Sequence, residues 1–207
     1  MKKIGILGGT FNPVHNGHIA LAKKALKEFG LETVIFVPTG LPPHKSDRDL
    51  APKKDRMKMV HLAAKGHKKF SVSRIEINRK GYSYAVDTFK KLKKRFGADA
   101  KLFYIMGLDS INSILSWKKP LDLFKLCYFL IATRPLSKLR TFRRIMKFPP
   151  VSINKDKVEL FELKMGVSSS DIREKLKKGR NIDRMVPKAV AVYIKKKGLY
   201  EDTKRKY

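Results

Sequence analysis

Lys3-Ile4-Gly5-Ile6-Leu7-Gly8-Gly9-Thr10-Phe11-Asn12-Pro13-Val14-His15-Asn16-Gly17-His18 stands at the start of the chain and decides its reading. Lys3–Leu7 is a short apolar run of the kind that forms a buried strand. From Gly17 to Phe29 the pattern changes: Leu21, Ala22, Ala25, Leu26 and Phe29 fall on one helical face, and Gly30 supplies a stop. A strand that ends on two glycines can turn sharply and let its backbone approach a ligand, because glycine has no Cβ. A helix that begins near Asn16-Gly17 offers unpaired N–H groups and partial positive charge, which suits phosphate oxygens. His15 and His18 lie on either side of that start, so both imidazoles can donate to one anion. The plain alternative is a glycine turn with two surface histidines. Glycines, Pro13 and two histidines within eleven residues of a first strand favour function. Zinc wants three or four ligands and no third is placed, so a metal reading of the pair is weaker. The dinucleotide G-x-G-x-x-G and the Walker A pattern are both absent.

Outward from this segment, apolar runs alternate with amphipathic stretches. Thr33–Val37 reads as a second strand, and a loop with Pro38, Gly40, Pro42 and Pro43 follows. Pro52 opens a helix with Met57, Val60 and Ala64 as its apolar positions. Phe70–Ile77 alternates in part and reads as an irregular strand. Tyr84–Phe96 is helical, Leu102–Met106 and Cys127–Ala132 are buried strands, and Val158–Leu163 is strand-like. Ser168–Lys178 and Pro187–Lys197 read as two helices. Strands separated by helices predict an α/β protein: a Rossmann-like, doubly wound parallel sheet with helices on both faces. Residues 1–207 read as one domain, with a small C-terminal helical portion over about 160–200 that completes the phosphate site and a frayed tail at 201–207.

The 207 residues suffice for one sizeable core, and a hydrophobic content of 43% fits a folded protein. Cys127 is the only cysteine, which rules out a disulfide framework within the chain. Lys2-Lys3 is followed by only four residues before two glycines, too short for a targeting core, and no run approaches ~18 apolar residues. The default expectation is a cytoplasmic protein without a membrane partner. The net charge of +30 admits nucleic-acid binding through counterion release. However, the basic residues are spread along the chain, and clusters such as Lys195-Lys196-Lys197 sit on outer helix faces. With no RNA-recognition signature or zinc finger, no specific nucleic-acid partner is expected.

Val167-Ser168-Ser169-Ser170-Asp171-Ile172-Arg173 precedes the first C-terminal helix. Ser168 is a good N-cap, with Asp171 three residues on. This is either a well-capped helix alone or a second helix N-terminus aimed at phosphates, with hydroxyls and one Arg. Two convergent anion sites suit a polyphosphate gripped from both sides.

Gly8-Gly9-Thr10-Phe11-x-Pro13-x-His15-x-Gly17-His18 resembles the signature of the nucleotidyltransferase superfamily whose motif is His or Thr, any residue, Gly, His. Ser168-Ser169-Ser170-x-Ile172-Arg173 resembles its second signature. Within that superfamily the chain is most similar to the bacterial nicotinate-nucleotide adenylyltransferases. Four further segments carry this: Pro42-Pro43-His44-Lys45, Tyr82–Thr88, Gly107-Leu108-Asp109-Ser110 with Trp117 eight residues after Asp109, and the ending Tyr193-Ile194 through Gly198-Leu199-Tyr200. Leu136–Asp156 is the least family-like stretch, and nothing is carried over to it.

The resemblance implies a reaction between ATP and nicotinate mononucleotide that gives deamido-NAD and pyrophosphate, as a step of NAD biosynthesis. The same chemistry on nicotinamide mononucleotide or phosphopantetheine is the alternative, followed by a nucleic-acid-binding protein on a nucleotide fold. By the same resemblance, Gly8, Gly9, Thr10 and Phe11 shape the cradle between the two nucleotides. His15 and His18 hold ATP phosphates, with His18 the main catalytic candidate. Ser170, Arg173 and the backbone at Ser168 grip the polyphosphate from the other side. Gly107 and Asp109 lie by the ribose and adenine, and Arg134 lines the adenine side. Trp117 stacks on the pyridine ring unless it is a core residue. Tyr84, Ala85 and Lys118 meet the nicotinate carboxylate, and Lys45, with or without His44, meets the mononucleotide phosphate. Asp87 either belongs to the site or simply caps its helix or pairs with a nearby Lys. Mg²⁺ is expected on the ATP phosphates, with no protein metal ligand. A homo-oligomeric state is left open.

Overall fold

The computed structural model describes residues 1–43, 50–133, 147, 155–164 and 166–201; of residues 109, 112, 115 and 155 it describes the backbone. His44, Lys45, Arg134 and the tail beyond Glu201 lie outside the described residues.

Six strands form one sheet: β1 (Lys3–Gly9), β2 (Thr33–Pro38), β3 (Phe70–Val72), β4 (Lys101–Gly107), β5 (Tyr128–Thr133) and β6 (Val158–Glu162). All pairings are parallel, in the order β3-β2-β1-β4-β5-β6. Seven α-helices are described: α1 (Asn16–Glu28), α2 (Lys53–Ala64), α3 (Ala85–Phe96), α4 (Leu108–Asn112), α5 (Pro120–Leu126), α6 (Ser169–Lys177) and α7 (Lys188–Lys197). This is the strand order of a Rossmann-type sheet, whose winding reverses between β1 and β4.

The strands read as continuous apolar runs because helices cover both faces. On one face Leu7, Val34, Phe36, Ile105 and Leu130 pack with Ala22 and Ala25 of α1, Met59 and Val60 of α2, and Val190 and Ile194 of α7. On the other, Ile4, Ile6, Leu102, Tyr104 and Phe129 pack with Phe89 and Leu92 of α3 and Leu123 and Phe124 of α5. Cys127 is buried in this second layer.

Two local expectations are corrected. Phe70–Ile77 is not one irregular strand: pairing with β2 stops at Val72, and the chain turns through Arg74–Arg79, where Asn78 N–H donates to Arg74 O at 2.9 Å. Gly8 and Gly9 are not the turn. They are still strand residues, in register with Val37 and Pro38. The turn follows at Phe11, which adopts φ +50, and at the cis Asn12–Pro13 peptide. The glycines supply bare space instead: a Cβ on Gly8 would lie 3.1 Å from the Tyr104 hydroxyl, and one on Gly9 would lie 3.3 Å from the Phe11 ring.

Candidate functional site

At the C-terminal ends of β1 and β4, where the winding reverses, a cleft of about 510 Å³ opens. Ligands of open α/β sheets bind at this crevice. Gly8, Gly9 and Thr10 line its floor, His15 and His18 one end, Tyr84, Ala85, Trp117 and Lys118 another, and Gly107 and Thr133 the β4–β5 side.

α1 begins at the histidine pair. His15 is its N-cap, in extended conformation, and His18 N–H donates to His15 O at 2.9 Å. The two rings lie 3.7 Å apart, centroid to centroid. His18 Nδ1 accepts the backbone N–H of His15 at 3.2 Å. That leaves Nε2 to carry the ring proton of the neutral imidazole. Phe11 does not line the cleft. It is buried beneath, edge-on to His18 at 4.9 Å, and fixes that ring from below.

His15 is only 7% exposed. Burial pushes its pKa down to about 4, against a smaller opposing pull from the Asp171 carboxylate. His15 is therefore a neutral hydrogen-bonding group at physiological pH. Between pH 6.5 and 4 the unfolded chain takes up a proton that the folded chain does not, so stability falls as the pH is lowered through that window, by about 1.4 kcal/mol per unit. Urea denaturation at pH 7.5 and pH 5 should show wild type losing about 2 kcal/mol more than His15→Gln over the interval. Parallel losses would contradict the burial of a neutral His15.

The second signature meets the first. Ser168 caps α6: its Oγ accepts the backbone N–H of Asp171 at 3.1 Å. Arg173 donates to the Asn12 carbonyl at 2.9 Å and to Ser170 Oγ at 3.4 Å. Ser169 Oγ donates to the Pro13 carbonyl at 2.9 Å. Helix α6 is thereby clamped to the turn after β1, with Ser170 left exposed. Ser169, present in the sequence only as part of the second signature, is thus one of the two side chains of this helix that hold it to that turn.

On the far wall Trp117 is half-buried and donates from Nε1 to Ser113 Oγ at 3.2 Å; its ring lies 6.1 Å from that of Tyr104. Lys118 Nζ sits 4.4 Å over the Tyr84 ring and 3.2 Å from Asp87 Oδ2. Asp87 is thus a partner of Lys118, one of the readings open from sequence. Tyr84 is the N-cap of α3, and Gly107 that of α4, in which Asp109 is the second residue.

The model of the cytidylyltransferase-like family matches residues 6–175. The chain belongs to this family. A probable nicotinate-nucleotide adenylyltransferase of Moorella thermoacetica is 40% identical over 199 residues, covering 96% of this chain and 91% of its own. One from Desulfitobacterium hafniense strain Y51 is 41% identical over 202 residues, covering 96% of each chain. Among solved structures, Plasmodium falciparum nicotinic acid mononucleotide adenylyltransferase complexed with NaAD superposes with a TM-score of 0.76 over 97% of this chain and 98% of its own, at 22% identity; that likeness establishes the fold.

This cytidylyltransferase-like enzyme carries two buried charged residues that the sequence reading missed. Arg56 of α2 is fully buried, and no ion pair forms with it among the described residues. Its guanidinium donates to the carbonyls of Ala51 (3.1 Å), Thr10 (2.7 Å), Thr39 (2.6 Å) and Gly40 (2.9 Å). It ties the turn after β1 to both ends of the β2–α2 connection. Glu76, 7% exposed, faces the cleft and accepts from Thr88 Oγ1 at 2.6 Å. Burial pushes its pKa up, and hydrogen bonds from Thr88, Ser83 and Thr39 with the charge of Arg79 pull it back. Nearby, Gly40 N–H donates to Ser83 Oγ at 3.2 Å, and a Cβ on Gly40 would lie 2.3 Å from the Glu76 carbonyl, so only glycine fits. Neither had a readable signal: Arg56 stands beside Lys54, Asp55 and Lys58, and Glu76 takes the polar place between Ile75 and Ile77 in an alternating stretch.

Among the described residues no helix is long and apolar enough to cross a membrane, and no three His, Cys, Asp or Glu side chains are grouped to hold a metal.

Proposed function

We propose that the chain joins ATP to nicotinate mononucleotide, giving deamido-NAD and pyrophosphate, within this cleft. The observation that carries the reading is the close His15–His18 pair at the start of α1, clamped to the Ser168–Arg173 helix end at the reversal of the sheet. Relatives covering nearly the whole chain bear the name of this activity.

The attacking phosphate has a second pKa near ~6 and is largely ionised at neutral pH, so the reaction needs no general base. A mononucleotide phosphate oxygen bonds to the α-phosphorus of ATP as the bond to the bridging oxygen of the β-phosphate breaks, and pyrophosphate carries the charge away. Catalysis then consists of holding two anions in line and stabilising the charge that builds up. His18 Nε2–H and the neutral His15 donate to phosphate oxygens at α1, whose N-terminal N–H groups add partial positive charge. Ser170, Arg173 and the Ser168 backbone take the polyphosphate from the other side. Gly8, Gly9 and Thr10 allow the backbone to run close under both nucleotides, and Phe11 supports His18. Gly107 and Asp109 serve the adenosine. Trp117 stacks on the pyridine, while Tyr84, Ala85 and Lys118 face its carboxylate. Mg²⁺ carried by the ATP phosphates would supply charge neutralisation for the leaving pyrophosphate, with no protein residue needed to hold it.

An acceptor competition tests the substrate. With nicotinate mononucleotide, nicotinamide mononucleotide and phosphopantetheine at equal concentration, deamido-NAD is the expected main product. Preferential formation of NAD or dephospho-coenzyme A would reassign the acceptor.

A further inference from the structure

We propose that Tyr200, the last residue but one of the described chain, is a positioning residue for the phosphate cradle and acts through Asn12; the inference rests on the reading of that cradle as the ATP site. The chain reverses after α7: Gly198 adopts φ +57, and Leu199 N–H reaches back to Ile194 O at 3.1 Å. Tyr200 follows with φ +68, a left-handed conformation that bulky L-residues seldom adopt and that must be held by its surroundings. What holds it is a hydrogen bond of 2.8 Å from its hydroxyl to Asn12 Oδ1. The same oxygen accepts the backbone N–H of Ala51 at 3.0 Å. Asn12 is buried, and its carbonyl is the acceptor of Arg173.

One side chain thus joins the segment after α7, the entry to α2 and the turn after β1, while its backbone fixes the arginine of the second signature. The Tyr200 phenol stays a neutral donor, because burial raises its pKa further than the nearby Arg56 and Arg173 lower it. Tyr193 works alongside: its hydroxyl donates to Asp55 Oδ1 at 2.7 Å and pins α7 to α2. The C-terminal Tyr193–Tyr200 segment is thereby a strap that sets the angle between the two halves of the anion site.

Tyr200→Phe removes only the hydroxyl and leaves Asn12 Oδ1 with its Ala51 partner, so the variant keeps its fold. Its affinity for ATP, measured by calorimetry without acceptor, should fall about threefold to tenfold, and kcat with nicotinate mononucleotide by a similar factor. The thermal midpoint should move by only a few degrees, on the order expected for one hydrogen bond. Asn12→Ala should lower ATP affinity at least as much, and the Tyr200→Phe, Asn12→Ala double variant no further than Asn12→Ala alone. Unchanged ATP affinity in Tyr200→Phe, or strictly additive losses in the double variant, would overturn the proposal. The calorimetry is independent of turnover. A wild-type chain that binds ATP but transfers nothing would sink the proposed function and leave the binding cycle to decide on Tyr200; one that binds no ATP would sink both.

Discussion

Replacing His18 by alanine is expected to lower kcat by a factor on the order of 10² to 10⁴. The side chain is held by three contacts at once: the Nδ1 bond from His15 N–H, the His15 ring and the Phe11 edge. On the proposed mechanism, such fixing would make the Nε2–H a donor that needs no reorganisation when charge builds on the α-phosphate. The effect should fall on kcat more than on the KM for ATP, because the donor gains most where the charge is greatest. His18→Asn, which can place an amide donor in part of the same space, should recover some of the loss. A His18→Ala rate within a few fold of wild type, in protein of normal thermal stability, would remove His18 from the mechanism.

The second large effect is on stability. Arg56→Met should destabilise the fold by about 3–5 kcal/mol. The substitution keeps the stem but takes away the donors of four buried or half-buried carbonyls, and unsatisfied buried acceptors cost about 1–3 kcal/mol each before relaxation. Because those carbonyls belong to Thr10, Thr39, Gly40 and Ala51, the loss is also expected to loosen the cleft. Arg56→Lys should recover little, since an ammonium cannot span the fork that guanidinium presents. Urea unfolding measures both; a change below ~1 kcal/mol would show that the loops hold without the arginine.

Much of the fold was readable because strands buried on both faces read as apolar runs and the helices between them show one apolar side. Phe70–Ile77 misled because its alternation continues past Val72, while only tertiary pairing decides where a strand ends. The histidine pair was readable because all its parts lie within eleven residues. The joining of Asn12 to Arg173 spans 161 residues in sequence: two helix starts suited to one polyphosphate were readable, but the contact that clamps them depends on the tertiary fold. Arg56 was invisible for a physical reason: beside Lys54, Asp55 and Lys58 it reads as solvated helix surface, and its burial depends on carbonyls of the turn after β1 and of the β2–α2 connection.

The most direct measurement follows ³¹P resonances in a mixture of the purified protein, ATP, Mg²⁺ and nicotinate mononucleotide. Pyrophosphate and the diphosphate bridge of deamido-NAD should appear in equal amounts, and neither should appear when the mononucleotide is left out. Absence of the dinucleotide bridge, or pyrophosphate release without acceptor, would contradict direct attack on the α-phosphorus in this cleft.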